Sequence, residues 1–311
     1  MAIYHFSVQA ISRGKGQSAV ASASYRSGEK LMDEQTGEVK FYKRDVQPET
    51  MILAPDNAPE WVKDRQRLWN EVEKIEKNKN SRLAREINVA LPVELSHGQQ
   101  KELIKNYAKE QFVDKGMVAD IAIHRDDANN PHAHIMLTIR PFDEKGEWQK
   151  QKSKKEYILD EKGNFTYNKK GEKRTRKTDL IGWDKKELVQ EWRKEWSHHA
   201  NKMLEREGIN ERIDHRSHKE RGLETLPTQH VGYVASAMEK KGIETERGNY
   251  NRDVQAYNET VVDLQKYREQ KHELERSNEP TRENKVEYTP QEATQLESAA
   301  KFLNGNVSIE G

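Results

Sequence analysis

The side chains best suited to chemistry are three histidines in the segment IAIHRDDANNPHAHIMLTIRP, at positions 124, 132 and 134. His132 and His134 are two residues apart, so an extended strand puts both imidazoles on one face. Ala133, Ile135, Leu137 and Ile139 then form the opposite, apolar face. His124 closes an earlier alternating run, and the link DDANNP is of hairpin length. Antiparallel pairing brings His124 level with His132. Three imidazoles converging on one point make a facial set of nitrogen ligands with open positions, which suits a divalent metal that must also hold a substrate. A lone H-x-H is as readily a coincidence of surface histidines; the third histidine at the same strand end argues against that. Structural zinc needs a fourth protein ligand, and none is evident nearby in the sequence.

Tyr25, in SAVASASYRSGEK, is the next candidate. A phenol is a poor nucleophile at neutral pH because its free pKa is ~10. It becomes useful where a metal polarises a phosphate and a cation favours the phenolate. Arg26 is the adjacent cation, and it could also grip a phosphate. Tyr25 by itself reads more readily as a packed helix tyrosine. Cysteine is absent, which excludes a thiol nucleophile and a disulfide scaffold. Neither G-x-S-x-G nor H-E-x-x-H occurs. Glu86 lies opposite Ile87, Val89 and Leu91 on its strand, where it could orient a ligand histidine, take the tyrosine proton or simply face water. Asp126 and Asp127 read as polar loop residues, and His97, His198 and His199 as surface residues.

These side chains need a frame. Residues 3–12 alternate as a strand, and 18–28 are compatible with a helix ending near Gly28. A turn at 33–38 leads into a short extended piece, KFYKR. Pro59 opens a helix running to about Asn78, and 85–92 alternate as a second strand. Ser96 with Gln99 forms a capping box for a helix to about Lys115. Two strands follow, 118–125 and 132–140. A hairpin is expected to turn at Lys162-Gly163, and helices are expected over 183–207, 227–241 and 250–276, with a short one near 290–303.

The 311 residues carry 54 basic and 53 acidic side chains, so only the distribution of charge can point to nucleic acid. Residues 145–177 hold 12 basic and 5 acidic residues. With Tyr157, Phe165 and Tyr167 interleaved, this segment can track a phosphate backbone and stack bases. Lys169, Lys170, Lys173, Arg174, Arg176 and Lys177 are its candidate DNA contacts. A solvated charged insertion is the plain alternative. From residue 249 the balance reverses to 8 basic and 12 acidic, as in a charged helical, partly disordered tail. No apolar run approaches the ~20 residues of a membrane span, and no secretory signal opens the chain. A cytoplasmic protein without membrane insertion is expected.

Four stretches carry a more specific resemblance: AIYHFSVQAISRGKGQSAVASASYRSGE, LAREINVALPVEL, AIHRDDANNPHAHIMLTIRPF and IDHRSHKERGLETLPTQHVGYVASAMEKKG. In this order, over about residues 1–245, they resemble the MobA/MobL family of plasmid mobilisation relaxases, within the His-hydrophobic-His endonuclease superfamily. The resemblance implies an α+β fold, a central antiparallel sheet of about five strands flanked by helices. It implies a nicking and single-stranded DNA-binding domain over 1–245, followed by a tail over 246–311. Tyr25 would be the nucleophile, and His124, His132 and His134 the ligands of Mg²⁺ or Mn²⁺. The reaction would be transesterification at the plasmid transfer origin, giving a 5′-phosphotyrosyl link and a free 3′-OH. Partners would be single-stranded plasmid DNA, accessory mobilisation proteins and a type IV secretion coupling protein. The resemblance favours a role for Glu94, while its local pattern is that of a loop residue. It also marks Asp214, His215 and Arg216 for substrate grip or packing. Two alternatives stay open: a rolling-circle replication initiator, whose tyrosine usually follows the histidines, and a non-catalytic origin-binding protein.

Overall fold

The alternating segments assemble into one antiparallel sheet in the computed structural model, which describes residues 4–229, 231–276, 291, 294 and 295. In chain order the elements are β1 (Phe6–Ser12), α1 (Ala19–Ser27), β2 (Leu31–Asp33), β3 (Glu38–Lys40), β4 (Glu49–Leu53), α2 (Arg65–Ile75), β5 (Arg82–Ala90), α3 (His97–Ala108), β6 (Ala119–His124), β7 (His132–Leu137), β8 (Ser153–Tyr157), β9 (Thr175–Asp179), α4 (Lys186–Arg206), α5 (Tyr233–Glu239) and α6 (Glu246–Arg276). The sheet order is β1-β5-β7-β6-β4, with every neighbouring pair antiparallel. The fold is α+β, as the resemblance implies. Internal contacts divide the chain into two compact units, Met1–His215 and Arg216–Gly311.

Strand periodicity sorts the first unit into two layers. On one face Ile87, Val89, Ile121, Ile123, Ala133, Ile135 and Leu137 pack against Leu103, Tyr107 and Phe112 from α3 and its extension, and against Trp192, Trp196 and Leu204 from α4. The other face is covered over part of its length by α1 and α2, through Ile11, Ala84 and Met136 with Ala19, Val20, Ala23, Leu68, Trp69 and Val72. Ala19 and Ala23 carry the smallest side chains that still favour a helix, so α1 lies close on its neighbours. The remainder of this face carries the polar residues.

α1 is held at its start by two caps. The Ser18 hydroxyl accepts from the Ala21 amide at 3.2 Å, and Glu73 Oε1 of α2 accepts from the Ala19 amide at 2.7 Å. A carboxylate there satisfies an orphan donor and complements the helix dipole. At α3 the expected capping box forms, with Ser96 and Gln99 bonded reciprocally.

Several boundaries differ from the sequence reading. β4 was not anticipated: Met51, Ile52 and Leu53 lie between Pro48 and Pro55, too short a run to show a period, and they form the edge strand beside β6. The helix expected from Pro59 to Asn78 is a 3₁₀ turn at Glu60–Lys63 followed by α2, which ends at Ile75. The helix expected over 227–241 contracts to α5, and the one expected near 290–303 falls largely outside the described residues. The 157–168 hairpin does turn at Gly163 (φ 83°), yet the longer pairing is between β8 and β9.

In the second unit, α6 forms as the expected charged helix. Asn251 and Asn258, two turns apart, each bond both backbone groups of one residue in the extended stretch before α5: Gln229 at 2.7 and 2.7 Å, and Leu226 at 2.8 and 2.9 Å.

A buried ion pair fixes α2 to the sheet. Arg65 donates to both Asp120 oxygens at 2.8–3.0 Å, and Trp69 Nε1 donates to Asp120 Oδ2 at 2.8 Å. Removing Asp120 leaves the buried Arg65 guanidinium with only the more exposed Glu29 as its carboxylate partner. Asp120→Ala is expected to lower stability by about 3–5 kcal/mol in urea denaturation. A loss under 1 kcal/mol would mean that the pair is dispensable.

Candidate metal centre and its tyrosine helix

The strand register delivers the three histidines together. His124 of β6 stands directly opposite His132 of β7, and His134 lies opposite Asn88 of β5. One potential ligand nitrogen from each lies within 4.8 Å of the others. The ring centroids are 4.8–5.2 Å apart. His124 is buried, and His132 and His134 are half-buried.

Each ring has one nitrogen already engaged by an oxygen acceptor. His124 Nε2 lies 2.8 Å from the Arg26 carbonyl oxygen, His132 Nδ1 lies 2.8 Å from the Asn130 carbonyl oxygen, and His134 Nδ1 lies 2.8 Å from Glu86 Oε1. These contacts assign the N–H to that side of each ring and leave the lone pair on the other nitrogen. Burial, reinforced by His134, His132 and Arg44, pushes His124 down to about 4 against the pull of the Arg26 carbonyl. Burial also lowers His134, against its bond to Glu86. Neutral imidazoles with fixed tautomers are what metal ligation requires, so the donor set fits a divalent cation.

Glu86 does not face water. It is buried beneath α1, bonded by the Arg26 guanidinium, Gln9 Nε2 and His134. Burial alone would raise its carboxyl; the bonds from His134, Arg26 and Gln9 outweigh that and hold it down at about 2. So weak a base, with both oxygens occupied, is suited to orienting His134 and ill suited to accepting a proton. Glu94 sits half-buried in the turn after β5. On that same stretch the Leu91 amide donates to the Pro131 carbonyl, immediately before His132.

Tyr25 lies in the last turn of α1 and is 49% exposed. Its connection to the histidines runs through the helix end. The Arg26 carbonyl accepts from His124, the Ser27 carbonyl accepts from Gln47 Nε2 at 2.7 Å, and the Tyr25 carbonyl accepts from Arg44 at 2.7 and 3.2 Å. Gly28 closes the helix at φ 70°, and a side chain there would press on Gln47 and Arg44 at 3.1–3.2 Å. The Arg44 guanidinium also stands over the Tyr25 ring, 4.5 Å from its centroid. Arg26 therefore spends its charge inward on Glu86, and the cation at the tyrosine is Arg44. Sequence reasoning missed Arg44 because it lies 19 residues away on an irregular stretch. Tyr4, the other tyrosine near β1, packs against the opposite core, and its hydroxyl donates to the Arg193 carbonyl. Burial raises it to about 12.

The remaining candidates are separate from this cluster. Lys169, Lys170, Lys173, Arg174 and Arg176 are exposed on the β8/β9 ribbon and its turns. Lys173 Nζ stands 3.8 Å from the Phe165 ring centroid, and Arg176 reaches Glu156 at 3.3 Å. The side chain of Lys177 lies outside the described residues. His215 packs on α4, where its carbonyl accepts from Arg193 and its ring meets Ser197. His199, expected at the surface, is half-buried against Tyr107 and Glu110.

A three-histidine cluster on an antiparallel sheet, bonded to the end of a tyrosine-bearing helix, defines the class of site. A profile of the MobA/MobL family matches residues 17–241, and the chain belongs to that family. It is 36% identical over 292 residues to "Probable mobilization protein MobA" of Bifidobacterium longum, covering 89% of this chain and 50% of that protein. It is 36% identical over 263 residues to "Conjugal transfer protein TraA" of Rhizobium radiobacter, covering 78% of this chain but 22% of that protein. The chain thus spans half or less of these two relatives. A solved structure described as "Molecular Basis of Vancomycin Resistance Transfer in Staphylococcus aureus" is similar at TM-score 0.59 and 35% identity, over 70% of this chain and 100% of that one. Among the described residues, no helix is long and apolar enough to cross a membrane.

Outer partners of ligand histidines typically govern metal affinity by 10–100-fold. Glu86→Gln is therefore expected to weaken Mn²⁺ binding by about that factor in calorimetric titration, and His134→Ala by more. Unchanged affinity in Glu86→Gln would remove its orienting role.

Proposed function

We propose that this chain is a mobilisation relaxase that nicks one DNA strand at a plasmid transfer origin. The observation that carries the reading is the bond from His124 to the Arg26 carbonyl, which ties the helix end bearing Tyr25 to the histidine cluster. The names of the relatives, mobilisation and conjugal transfer proteins, support it.

In this reading His124, His132 and His134 would hold a divalent cation, Mg²⁺ or Mn²⁺, which would supply Lewis-acid polarisation of the scissile phosphate. Tyr25 Oη attacks phosphorus, and the bond to the 3′ oxygen breaks. The phenolic proton is lost and the 3′ oxygen gains one, leaving a free 3′-OH and a 5′-phosphotyrosyl ester. The ester conserves the bond energy, so the reverse attack by a 3′-OH rejoins the strand without a nucleotide cofactor. Arg44 orients the Tyr25 ring and offers positive charge where negative charge develops. Glu86 orients His134, and Arg26 neutralises Glu86 and buttresses α1. The partners are single-stranded DNA at the origin, accessory mobilisation proteins and a type IV secretion coupling protein, met in the cytoplasm.

The test is a denaturing gel after incubation with labelled single-stranded oligonucleotides spanning the cognate origin. Tyr25→Phe should abolish the covalent adduct and leave oligonucleotide binding nearly unchanged, because the ring and its Arg44 contact remain. An adduct of undiminished yield would move the nucleophile elsewhere.

The ribbon is assigned to binding. Neutralising Lys169, Lys170, Lys173, Arg174, Arg176 and Lys177 should flatten the dependence of log K on log salt by about 0.7 for each true phosphate contact on single strands. Cleavage at saturating substrate should survive. Coincident salt lines for variant and wild type would show that these charges only face water.

A further inference from the structure

Beside the tyrosine, the stretch 40–47 straps the end of α1, and the catalytic reading uses only its Arg44. Lys40 begins the strap, its carbonyl accepting from the Ser24 hydroxyl at 2.9 Å. Arg44 and Gln47 fasten it to the Tyr25 and Ser27 carbonyls. The strap is thus joined to the helix at three points, one through its backbone and two through side chains. Phe41 and Tyr42 are nonetheless 46% and 41% exposed, as solvent-facing as Tyr25 itself.

Fixed exposed aromatics call for an explanation, because a strap needs none. The rings are continuous with the site: Tyr42 meets Tyr25 edge to face, with centroids 5.4 Å apart. Two of these rings carry a cation. Arg44 stands over Tyr25, and Lys30 Nζ lies 5.1 Å from the Phe41 centroid. Aromatic faces interleaved with cations suit single-stranded nucleic acid, whose unstacked bases lie on rings while its phosphates meet the charges. An apolar protein partner would not need the cations, and duplex DNA offers no free base faces.

We infer that Phe41 and Tyr42 form a stacking platform for the bases of the DNA strand that flank the phosphate presented to Tyr25. The inference rests on the relaxase reading and adds a binding surface to it. Because stacking tolerates any base, the platform would hold the strand near the nucleophile without reading its sequence.

The test uses the full chain carrying Tyr25→Phe, so that no covalent product forms. Affinity is measured by fluorescence anisotropy at low salt for two labelled probes, an oligothymidylate of about 20 nucleotides and an abasic strand of equal length. The parent should prefer the base-bearing strand. Adding Phe41→Leu and Tyr42→Leu should weaken its binding by about 10-fold or more and leave abasic binding within about twofold. Leucine keeps apolar area and removes the ring face. Thermal melts of both proteins should agree, since the two side chains are exposed. Equal loss on both probes, or no loss, would overturn the platform while leaving the relaxase reading standing. Failure of the parent to bind either strand would overturn both. Selective loss of the base-dependent part of binding supports the platform.

Discussion

The site depends on the hydrogen bond between His124 and the Arg26 carbonyl. The last carbonyls of a helix have no partner within it. In α1 two are taken by polar side chains of the 40–47 strap and one by His124. One contact thereby does two jobs: it satisfies a terminal carbonyl of the helix that Gly28 closes, and it sets which nitrogen of His124 keeps a lone pair. The tyrosine and the histidines lie about 100 residues apart in sequence and cannot be positioned independently, because a shift of α1 moves a hydrogen bond on a buried ligand ring.

The same economy recurs one strand away. Arg26 and His134 share Glu86, so the carboxylate joins α1 to β7 across β5. A buried carboxylate is costly unless its oxygens are engaged, and here Arg26, His134 and Gln9 engage them. On the other face of the sheet packing is apolar and tolerant of volume-conserving exchange. On the site face, losing one partner leaves a charge without compensation. The period-two alternation thus gives one face wholly to apolar packing, while the site shares the other with the α1/α2 core and the Arg65–Asp120 pair.

Much of this was legible in the sequence because strand geometry is strict. The H-x-H spacing and a hairpin-length link were enough to bring three histidines together, and the alternation around Glu86 placed it on their face. What alternation cannot show is what covers a face, so the burial of Glu86 and its contact with Arg26 required α1 to be docked. Arg44 was illegible for a related reason: it acts from a stretch without periodicity, through a backbone carbonyl that any residue could have supplied. β4 was missed because a few apolar residues between prolines have no measurable period. In the basic segment one turn was read where three share the same wiring. Asp143, Asp160 and Asn168 each accept from two following amides, and each turn reaches a glycine with positive φ. The spelling DEKGE, DEKGN and NKKGE carries that pattern, but only the glycine drew notice.

Those turns bear on how a chain with almost no net charge could grip DNA. At the root of the ribbon the cations are already matched. Glu76 takes Arg140 and Lys152, and Asp184 takes Arg82 and Arg85. These pairs lie near the ends of β5 and β7 away from the histidines, so they anchor the ribbon and contribute little outward field. Toward the tips Asp160 and the neutral Asn168 turn their side-chain oxygens onto backbone amides. Lys169, Lys170, Lys173 and Arg174 are left facing solvent. Residues 160–174 hold five basic and three acidic side chains, so the larger part of the segment's positive excess lies along β8, β9 and the stretch leading into them. A phosphate backbone responds to local charge within about a Debye length, so in the proposed reading it would meet the arm as a basic surface although the whole chain is nearly neutral.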